Sequence, residues 1–232
     1  MANANSIIEN VRKESRTILT EMESKQLLAS LGIPTTEMKL AASREEAVAL
    51  SKAIGYPCVL KVSSRDITHK SDAGGVKVDL KSEDEVAAAY DAIMTSCLAA
   101  FPQADIEGVT VQTMAKPGLE VIVGVATDPQ FGPVLMFGLG GVWVEVLKDV
   151  SFKIAPLTKS DAAKAISEIK ASKLLDGFRG SQPVDRVALE DILLRVSAFV
   201  SATPAVKEID LNPVFAYPDG AIAVDARVIL GE

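Results

Sequence analysis

The sequence predicts an α/β (α+β) protein made of two lobes. Strand-type and helix-type segments alternate up to Gly108, a pattern typical of mixed helix and sheet layers. After Gly108 several strand-type segments follow one another, and two helix-type segments come next. With 232 residues, of which 48% are hydrophobic, the chain is long enough for one large domain or two closely packed lobes.

The segments of the first part have clear boundaries. After a polar lead-in, "EMESKQLLASLGIP" has helical spacing and ends at Gly32. "TTEMKLA" suits a short strand, and "CVLKVS" and "GGVKVDL" are rich in β-formers. The helices "SREEAVALSKAIGYP" and "SEDEVAAAYDAIMTSCLAAF" begin with the capping-box pairs Ser43/Glu46 and Ser82/Glu85.

The second part reads mainly as a sheet. "VTVQTMA", "LEVIVGVAT" and "PVLMFGLGG" are strands separated by turn residues, and "VWVEVLKDVSFKIAPL" extends the sheet. The helices "KSDAAKAISEIKAS" and "DRVALEDILLRVSAFVSA" follow, and two strands joined by a "PDG" turn end the chain. We therefore predict a lead-in over 1–20, one lobe over 21–108 and a second lobe over 109–232.

Composition excludes several classes of function. The net charge is −7 and aromatic residues make up 5%, so neither nucleic acid nor an anionic membrane is an expected partner. The two cysteines are not close in sequence and have no nearby histidine, which favours inert core thiols. Neither a secretory signal nor a membrane-length apolar run is present. We expect a cytoplasmic protein.

The C-terminal strands carry alternating polar residues. Asp210 and Asn212 alternate with aliphatic residues on one strand, and Asp225 and Arg227 do so on the next, so each set shares one face. With Asp219 and Gly220 as the turn, Asn212 would lie opposite Arg227. Two carboxylates and an amide suit Mg²⁺, although any solvent-facing strand alternates in this way.

Lys61 interrupts the apolar strand "CVLKVS". Such a lysine either reaches solvent at a sheet edge or points at an anion. The polar loop that follows ends in Gly74 and Gly75, whose N–H groups could bind phosphate oxygens. A glycine pair alone is a weak signal, and a simple turn is its more common role.

The stretch "VQTMAKPGLEVIVG" resembles two strands and a linker. A base can bind the linker backbone while Glu120 binds the ribose, but a plain connection between lobes is the alternative. The glycines of "FGLGG" do not have the spacing of a dinucleotide fingerprint, and a close backbone approach is the simpler interpretation.

His69 is the single histidine of the chain and lies in the polar loop after Lys61. A lone histidine in such a loop is usually a surface residue. Its isolation excludes a zinc site with several imidazoles, and no Ser or Cys nucleophile motif accompanies it. The residues alone leave its role open.

Five stretches in order resemble one family: "ESKQLLASLGIP", "YPCVLKVSSRDITHKSDAGGVKVDL", "GLEVIVGVATDPQFGPVLMFGLGGVWVEVLKDVSFKIAPL", "LLDGFRG" and "EIDLNPV…AVDARV". They look like the β subunits of ADP-forming acetate–CoA ligases, the NDP-forming acyl-CoA synthetase family related to succinyl-CoA synthetase β. The resemblance runs from about Glu21 to the C-terminus. It implies an ATP-grasp fold, in which two lobes clasp a nucleotide, and the reaction acyl-CoA + ADP + Pi = acid + CoA + ATP.

The resemblance also implies roles for particular residues. His69 falls on a histidine implicated as a second phosphoryl carrier, and Lys61 falls on a phosphate-binding lysine. Mg²⁺-binding positions fall on Asp210, Asn212 and Asp225. The nucleotide-binding set comprises Lys61, Gly74, Gly75, Gln112, Thr113, Met114, Glu120 and Arg227, with Gln112 to Met114 bordering the adenine and Glu120 near the ribose.

The family implies a partner as well. A CoA-binding α subunit carries the histidine that is phosphorylated first, and an α2β2 heterotetramer is expected. ATP or ADP is then the substrate and Mg²⁺ the cofactor. Two alternatives stay open: a stand-alone ATP-grasp carboxylate ligase, and a non-catalytic nucleotide-sensing module of a protein acyltransferase.

Overall fold

The computed structural model describes residues 2–67, 70–141, 148–178 and 180–231. The helices are α1 (Ala2–Lys13), α2 (Glu21–Ser30), α3 (Arg44–Ile54), α4 (Glu83–Ala100), α5 (Lys159–Glu168) and α6 (Arg186–Ala202), with a 3₁₀ turn at Ser172–Asp176. The strands are β1 (Met38–Ala41), β2 (Cys58–Ser64), β3 (Val76–Leu80), β4 (Ile106–Thr113), β5 (Leu119–Asp128), β6 (Gly132–Leu139), β7 (Val150–Ile154), β8 (Val206–Tyr217), β9 (Gly220–Ala223) and β10 (Arg227–Leu230).

The helix starts follow the predicted capping signals. The Ser43 hydroxyl accepts a hydrogen bond from the Glu46 N–H, and Ser82 does the same for the N–H of Glu85. These bonds satisfy N–H groups that have no partner within the helix. The predicted starts of α3 and α4 are therefore confirmed.

The chain divides into two compact units. The inserted unit comprises 36–116, and the main unit comprises 1–35 and 117–232. The predicted boundary at 108 is wrong because β4 pairs with both β1 and β2 and so belongs to the first sheet. The predicted separation of a lead-in at residue 20 is wrong as well, because the segments on either side of α2 pair with β9 and β10.

The inserted unit is a four-stranded antiparallel sheet in the order β1-β4-β2-β3, covered by α3 and α4. Alternate residues of the central strands, such as Leu60, Val62 and Val111, enter a core with Val86 and Ile93 of α4. Strand β2 lies between β4 and β3. Since successive side chains of a strand point to opposite faces, the residues of β2 that alternate with Leu60 and Val62 occupy the sheet face away from the helices.

The main unit is built on a sheet in the order β10-β8-β5-β6-β7, with β9 also paired to β8. Residues Val121, Val123, Phe137 and Leu211 of its strands pack into one core with helices α1, α2, α5 and α6. The helices thus cover one face of this sheet. The other face carries the polar residues of β8 and β10.

Cys58 and Cys97 are buried and unpaired, and burial raises the pKa of the Cys58 thiol to about 11. This agrees with the interpretation of inert core thiols, since the reactive form is the thiolate. Among the described residues, no helix combines the length and apolarity that a bilayer crossing requires.

Candidate functional site

A row of side chains crosses the uncovered face of the main sheet. Directly paired residues of neighbouring strands project to the same side, and the pairings of Asp210 with Gly124 and of Gly124 with Met136 link three strands. The full row is Arg227, Asp210, Gly124, Met136 and Phe152. Its polar end lies on β8 and β10 and its apolar end on β6 and β7.

The structure corrects the predicted register of the C-terminal strands. Arg227 pairs with Asp210, not with Asn212. The turn consists of Pro218 and Asp219, because Tyr217 pairs with Gly220. Moving the turn by one residue shifts every partner by two, which keeps the predicted face but exchanges the neighbours.

Asn212 and Asp225 occupy the stretch between the paired segments. Three residues on each strand separate the pair of Val214 with Ala223 from the pair of Asp210 with Arg227. The common register therefore places Asn212 opposite Asp225. The predicted metal residues Asp210, Asn212 and Asp225 are thus neighbours in one patch of the main sheet.

A bulge lies at the same place. Val121 pairs with Val214 and Val123 with Leu211, so β8 has two residues where β5 has one. The extra residue belongs to Asn212-Pro213, and proline cannot donate a ladder hydrogen bond. The bulge changes the alternation of buried residues from odd to even positions along β8. It therefore leaves Asp210 and Asn212 outward while the rest of the strand stays packed.

Loss of solvation and two neighbouring charges determine the electrostatics of Asp210. The pKa of its carboxyl is raised, chiefly by loss of solvation. Arg227 acts to lower this pKa, and the carboxylate of Asp225 acts to raise it. Two carboxylates that repel each other in one patch are stabilised by a cation.

The donor set fits Mg²⁺ bound together with phosphate. No group of three or more His, Cys, Asp and Glu side chains within the described ranges could hold a metal by itself. Two carboxylates and one amide oxygen leave positions that phosphate or water oxygens fill, as is usual for Mg²⁺. The residues therefore suit a shared ion better than a closed protein cage.

Glu120 lies on the same face, four residues along β5 from Gly124, the partner of Asp210. Four residues of strand span about 13 Å. The glycines of "FGLGG" pack against it: the Gly140 N–H donates to the Glu120 carbonyl, and a Cβ on Gly141 would come within 2.9 Å of Glu120 Oε2. The interpretation of these glycines as a close backbone approach is confirmed.

Lys61 lies in the inserted unit on the sheet face away from α3 and α4, and only 7% of its surface is exposed. It pairs with Thr110 of β4 and Val76 of β3, so its strand is interior. The interpretation as an edge lysine is therefore wrong. A lysine in the middle of a sheet is costly unless its ammonium has an anionic or polar partner.

Gly74 and Gly75 have structural roles in the loop before β3, and their phosphate contacts stay a prediction. Their N–H groups donate to the carbonyls of Ser71 and Lys70. Gly74 has a φ of +68°, and a Cβ on Gly75 would come within 2.6 Å of Val62 Cγ1. The pair closes the loop and lets it pack on β2.

The segment Gln112–Met114 ends β4 and precedes the linker to the main unit. The N–H groups of Thr113 and Met114 donate to the carbonyls of Glu37 and Pro57. Gln112 is 2% exposed, and its side-chain amide donates to Thr110 Oγ1 at 3.0 Å. Its side chain is therefore turned along the sheet, and the predicted base contact of this segment stays a prediction.

His69, the predicted catalytic residue, lies outside the described residues. Its assignment stays a prediction from the sequence.

Sequence reasoning missed Thr110. This residue is 3% exposed and is positioned between Gln112, which donates to its hydroxyl, and the Lys61 carbonyl, to which its hydroxyl donates at 3.3 Å. The sequence signal that could have found it is the alternation of Thr110 and Gln112 with the valines of β4. This alternation places both polar side chains on one face of the strand.

Comparison with known proteins identifies the family. A family model described as an ATP-grasp domain matches residues 10–230. The chain is 52% identical over 230 residues to the ADP-forming acetate–CoA ligase I subunit beta of Pyrococcus furiosus, a match that covers 99% of each chain. The chain belongs to the β subunits of the ADP-forming acetate–CoA ligase family. The predicted family, ATP-grasp fold and ligase class are thereby confirmed.

Two further relatives extend the comparison. The ADP-forming acetate–CoA ligase I of Archaeoglobus fulgidus is 46% identical over 99% of this β-type chain, which spans 33% of that protein. A solved structure of the dinucleotide-forming acetyl-coenzyme A synthetase 1 of Ca. Korarchaeum cryptofilum matches with a TM-score of 0.96 and 50% identity. It covers 98% of this chain and all of its own, and it holds coenzyme A and Ca-AMPCP. Another structure of that enzyme holds coenzyme A and Mg-AMPPCP, with a phosphohistidine segment pointing towards the nucleotide binding site.

Proposed function

We propose that the chain is the nucleotide-binding subunit of an ADP-forming acyl-CoA ligase, which interconverts acyl-CoA, ADP and phosphate with the free acid, CoA and ATP. The observation that carries this proposal is the patch of Asp210, Asn212 and Asp225. It offers two carboxylates and an amide oxygen on the sheet face that the helices leave uncovered, with Arg227 beside Asp210. Family membership supplies the reaction class.

Asp210, Asn212 and Asp225 would hold Mg²⁺, which when bound neutralises phosphate charge. Glu120 lies on the same face, about 13 Å along β5 from Gly124, the partner of Asp210. An extended nucleotide can therefore place its ribose near Glu120 and its terminal phosphates near Asp210. Arg227, opposite Asp210, supplies a cation at the phosphate end.

From the inserted unit we propose Lys61 as a phosphate ligand. Phosphoryl transfer depends on positioning and charge neutralisation more than on covalent machinery. An ammonium fixed on an interior strand is pre-organised for this task, since its backbone is held by β3 and β4. The backbone of Gln112–Met114 is proposed to border the base.

His69 is proposed as the phosphoryl carrier of this subunit. A neutral imidazole nitrogen attacks the phosphorus of a phosphohistidine on the partner, and the P–N bond of the partner breaks. A terminal oxygen of ADP then attacks the phosphorus on His69. The new P–N bond breaks, ATP leaves, and the imidazole is restored.

The partner is proposed to be a CoA-binding subunit. The chain has the length of the P. furiosus β subunit but only a third of the A. fulgidus protein, whose remaining part is joined to it in one chain. An α2β2 assembly is the form we propose. Activity would then require the partner, unlike that of a stand-alone carboxylate ligase.

The test combines the chain with its CoA-binding partner and measures ATP formation from acyl-CoA, ADP and phosphate. We expect activity with the wild-type chain and none with either subunit alone. His69→Ala should abolish ATP formation while leaving Mg-ADP affinity unchanged. ATP formation at the wild-type rate by this variant would exclude the carrier role.

A further inference from the structure

The loop between β2 and β3 is held by the inserted unit at both of its ends. It leaves β2 where the pairing with β4 shifts, between Ser63 and Ser64. The structure describes residues 65–67 and 70–75 of this loop. Their contacts show how the segment that bears His69 is attached to the unit.

Asp66 fixes the outgoing end of the loop. Its carboxylate accepts a hydrogen bond from the Asp105 N–H at 2.7 Å, across 39 residues of sequence, and its own N–H donates to Ser64 Oγ at 3.1 Å. A bond from a backbone N–H to a carboxylate is stronger than one to a neutral oxygen. The next residue, Ile67, is 1% exposed and packs in the core of the inserted unit. The chain is therefore attached to the body of the unit two residues before His69.

The returning end of the loop is attached to α4 and β2. Ala73 is buried in the same core as Ile67, and the Cys97 thiol of α4 donates to the Ala73 carbonyl at 3.8 Å. The Gly75 N–H donates to the Lys70 carbonyl at 2.8 Å, and the Gly75 carbonyl accepts from the N–H of Val62 at 2.7 Å. The loop is thus closed by its own backbone and tied back to the strand that it left.

These attachments limit the reach of His69. Two residues of extended chain span at most about 7 Å, so the backbone at His69 cannot be carried farther than this from Ile67. A larger displacement would expose the buried side chain of Ile67 to water, which is unfavourable. A phosphoryl carrier with so short a reach depends on accurate placement of its loop.

We propose that Asp66 is a positioning residue of the phosphoryl relay, which holds the start of the loop and so places His69 for transfer. The inference rests on the proposed carrier role of His69. Its physical reason is that the imidazole nitrogen and the phosphorus must be aligned at close approach, and a misplacement of about 1 Å can cost about 100-fold in rate. The carboxylate of Asp66 is engaged with the backbone of Asp105, so it acts through the loop.

The test combines the full chain with its CoA-binding partner and measures kcat for ATP formation, the affinity for Mg-ADP and the Tm. Asp66→Ala removes the acceptor of the Asp105 N–H and should lower kcat about 10- to 100-fold, while the affinity for Mg-ADP equals that of the wild type. Transfer of labelled phosphate from the phosphorylated partner to the chain should slow by the same factor. Asp66→Asn keeps an acceptor oxygen and should restore most of kcat. Because Asp66 is exposed, both variants should fold.

Asp128→Ala is the matched control. Asp128 is the last residue of β5, and its Oδ1 accepts hydrogen bonds from the N–H groups of Gln130 and Phe131 at 2.7 and 2.9 Å. Like Asp66, it is a carboxylate that binds loop backbone, but it lies in the main unit. Its substitution should affect the Tm about as much as Asp66→Ala does and leave kcat unchanged.

Wild-type kcat in Asp66→Ala would overturn the inference, and so would equal losses of kcat in Asp66→Ala and Asp128→Ala. Failure of Asp66→Ala to fold would also count against it, because the bond would then serve the fold. A loss of Mg-ADP affinity that accounts for the lower rate would contradict it as well, because Asp66 would then act on the nucleotide. Wild-type kcat in His69→Ala would instead contradict the proposed carrier role itself.

Discussion

The two sheets of the molecule present functional groups in opposite ways. In the main unit, Asp210 and Asn212 lie exposed beside a bulge, where the regular ladder to β5 is broken. In the inserted unit, Lys61 and Thr110 are buried on adjacent interior strands whose pairing is regular from Cys58 to Ser63. Each set occupies the sheet face that its own helices leave uncovered.

The difference reflects the charge that each surface has to hold. Paired carboxylates tolerate each other only if water or a cation screens them, so an exposed and irregular strand suits them. A single ammonium loses much solvation by burial and needs polar or anionic neighbours, whereas a regular strand fixes the position of its backbone. The main unit thus provides an adaptable ion patch and the inserted unit a fixed cation.

The largest expected effect is that of a substitution in the ion patch formed by Asp210, Asn212 and Asp225. Asp210→Asn removes a carboxylate that faces Asp225 and Arg227, and should reduce ATP formation with the partner about 100-fold or more. The Tm should not fall, because the substitution also removes a repulsion. Glu208→Gln, on the same strand and face, is the control and should keep full activity.

Substitution of Lys61, the cation of the inserted unit, should have the next largest effect. Lys61→Met should weaken Mg-ADP binding about 10- to 100-fold, as expected for the loss of charge-assisted contacts. Lys77→Met is the control, because Lys77 pairs with Leu60 on the neighbouring strand and so projects from the other face. Equal losses in both variants would indicate a general charge effect and would contradict the distinction.

Substitution of Thr110, whose hydroxyl donates to the Lys61 carbonyl, should have a smaller effect. Thr110→Val keeps the shape but leaves the buried amide of Gln112 without its acceptor, which should lower the free energy of unfolding by about 1–3 kcal/mol. Thr110→Ser restores the hydroxyl and should recover most of this loss. Chemical denaturation of the three proteins provides the measurement.

The smallest expected effect is on the pH dependence of folding stability, to which the carboxyls of Asp210 and Glu23 should contribute with opposite sign. The pKa of Asp210 is raised, chiefly by loss of solvation, so its ionisation disfavours the folded state as pH rises above its ordinary value. Burial acts to raise the pKa of Glu23, but hydrogen bonds from Arg16 and the Thr20 N–H outweigh it and lower the pKa. The stabilisation by Glu23 is therefore lost as pH falls.

Unfolding curves of Asp210→Asn and Glu23→Gln against the wild type between about pH 3 and 7 test this contrast. Asp210→Asn should gain stability relative to the wild type as pH rises, and Glu23→Gln should lose it. Differences of the same sign for both variants would contradict the assigned environments.

The fold was predictable where local signals were strong. Capping residues and apolar periodicity predict α3, α4 and most strands, and the five ordered motifs alone indicate the family. The division into units was not predictable from composition, because the assignment of β4 depends on pairing with β1 and β2. Likewise, the N-terminal segment is attached to the main unit by the pairing of residues 17–19 and 34–35 and by the core packing of α1 and α2, which only the folded chain shows.

The residues of the candidate site were likewise only partly predictable from the sequence. Period-two alternation found Asp210, Asn212 and Asp225, but a turn displaced by one residue made the predicted neighbours wrong. The glycines at 74 and 75 carried a signal that loop closure explains. The sequence could not predict that Thr110, Glu21 and Lys25 are buried, because burial is a property of the folded chain.

The most direct test of the central claim is the Mg²⁺ dependence of nucleotide binding in Asp225→Asn. Calorimetry of the wild-type chain should show that Mg²⁺ increases ADP affinity, and the variant should lose this increase while it binds free ADP as the wild type does. Equal affinity of variant and wild type for Mg-ADP would contradict the claim that Asp210, Asn212 and Asp225 form the metal–nucleotide site.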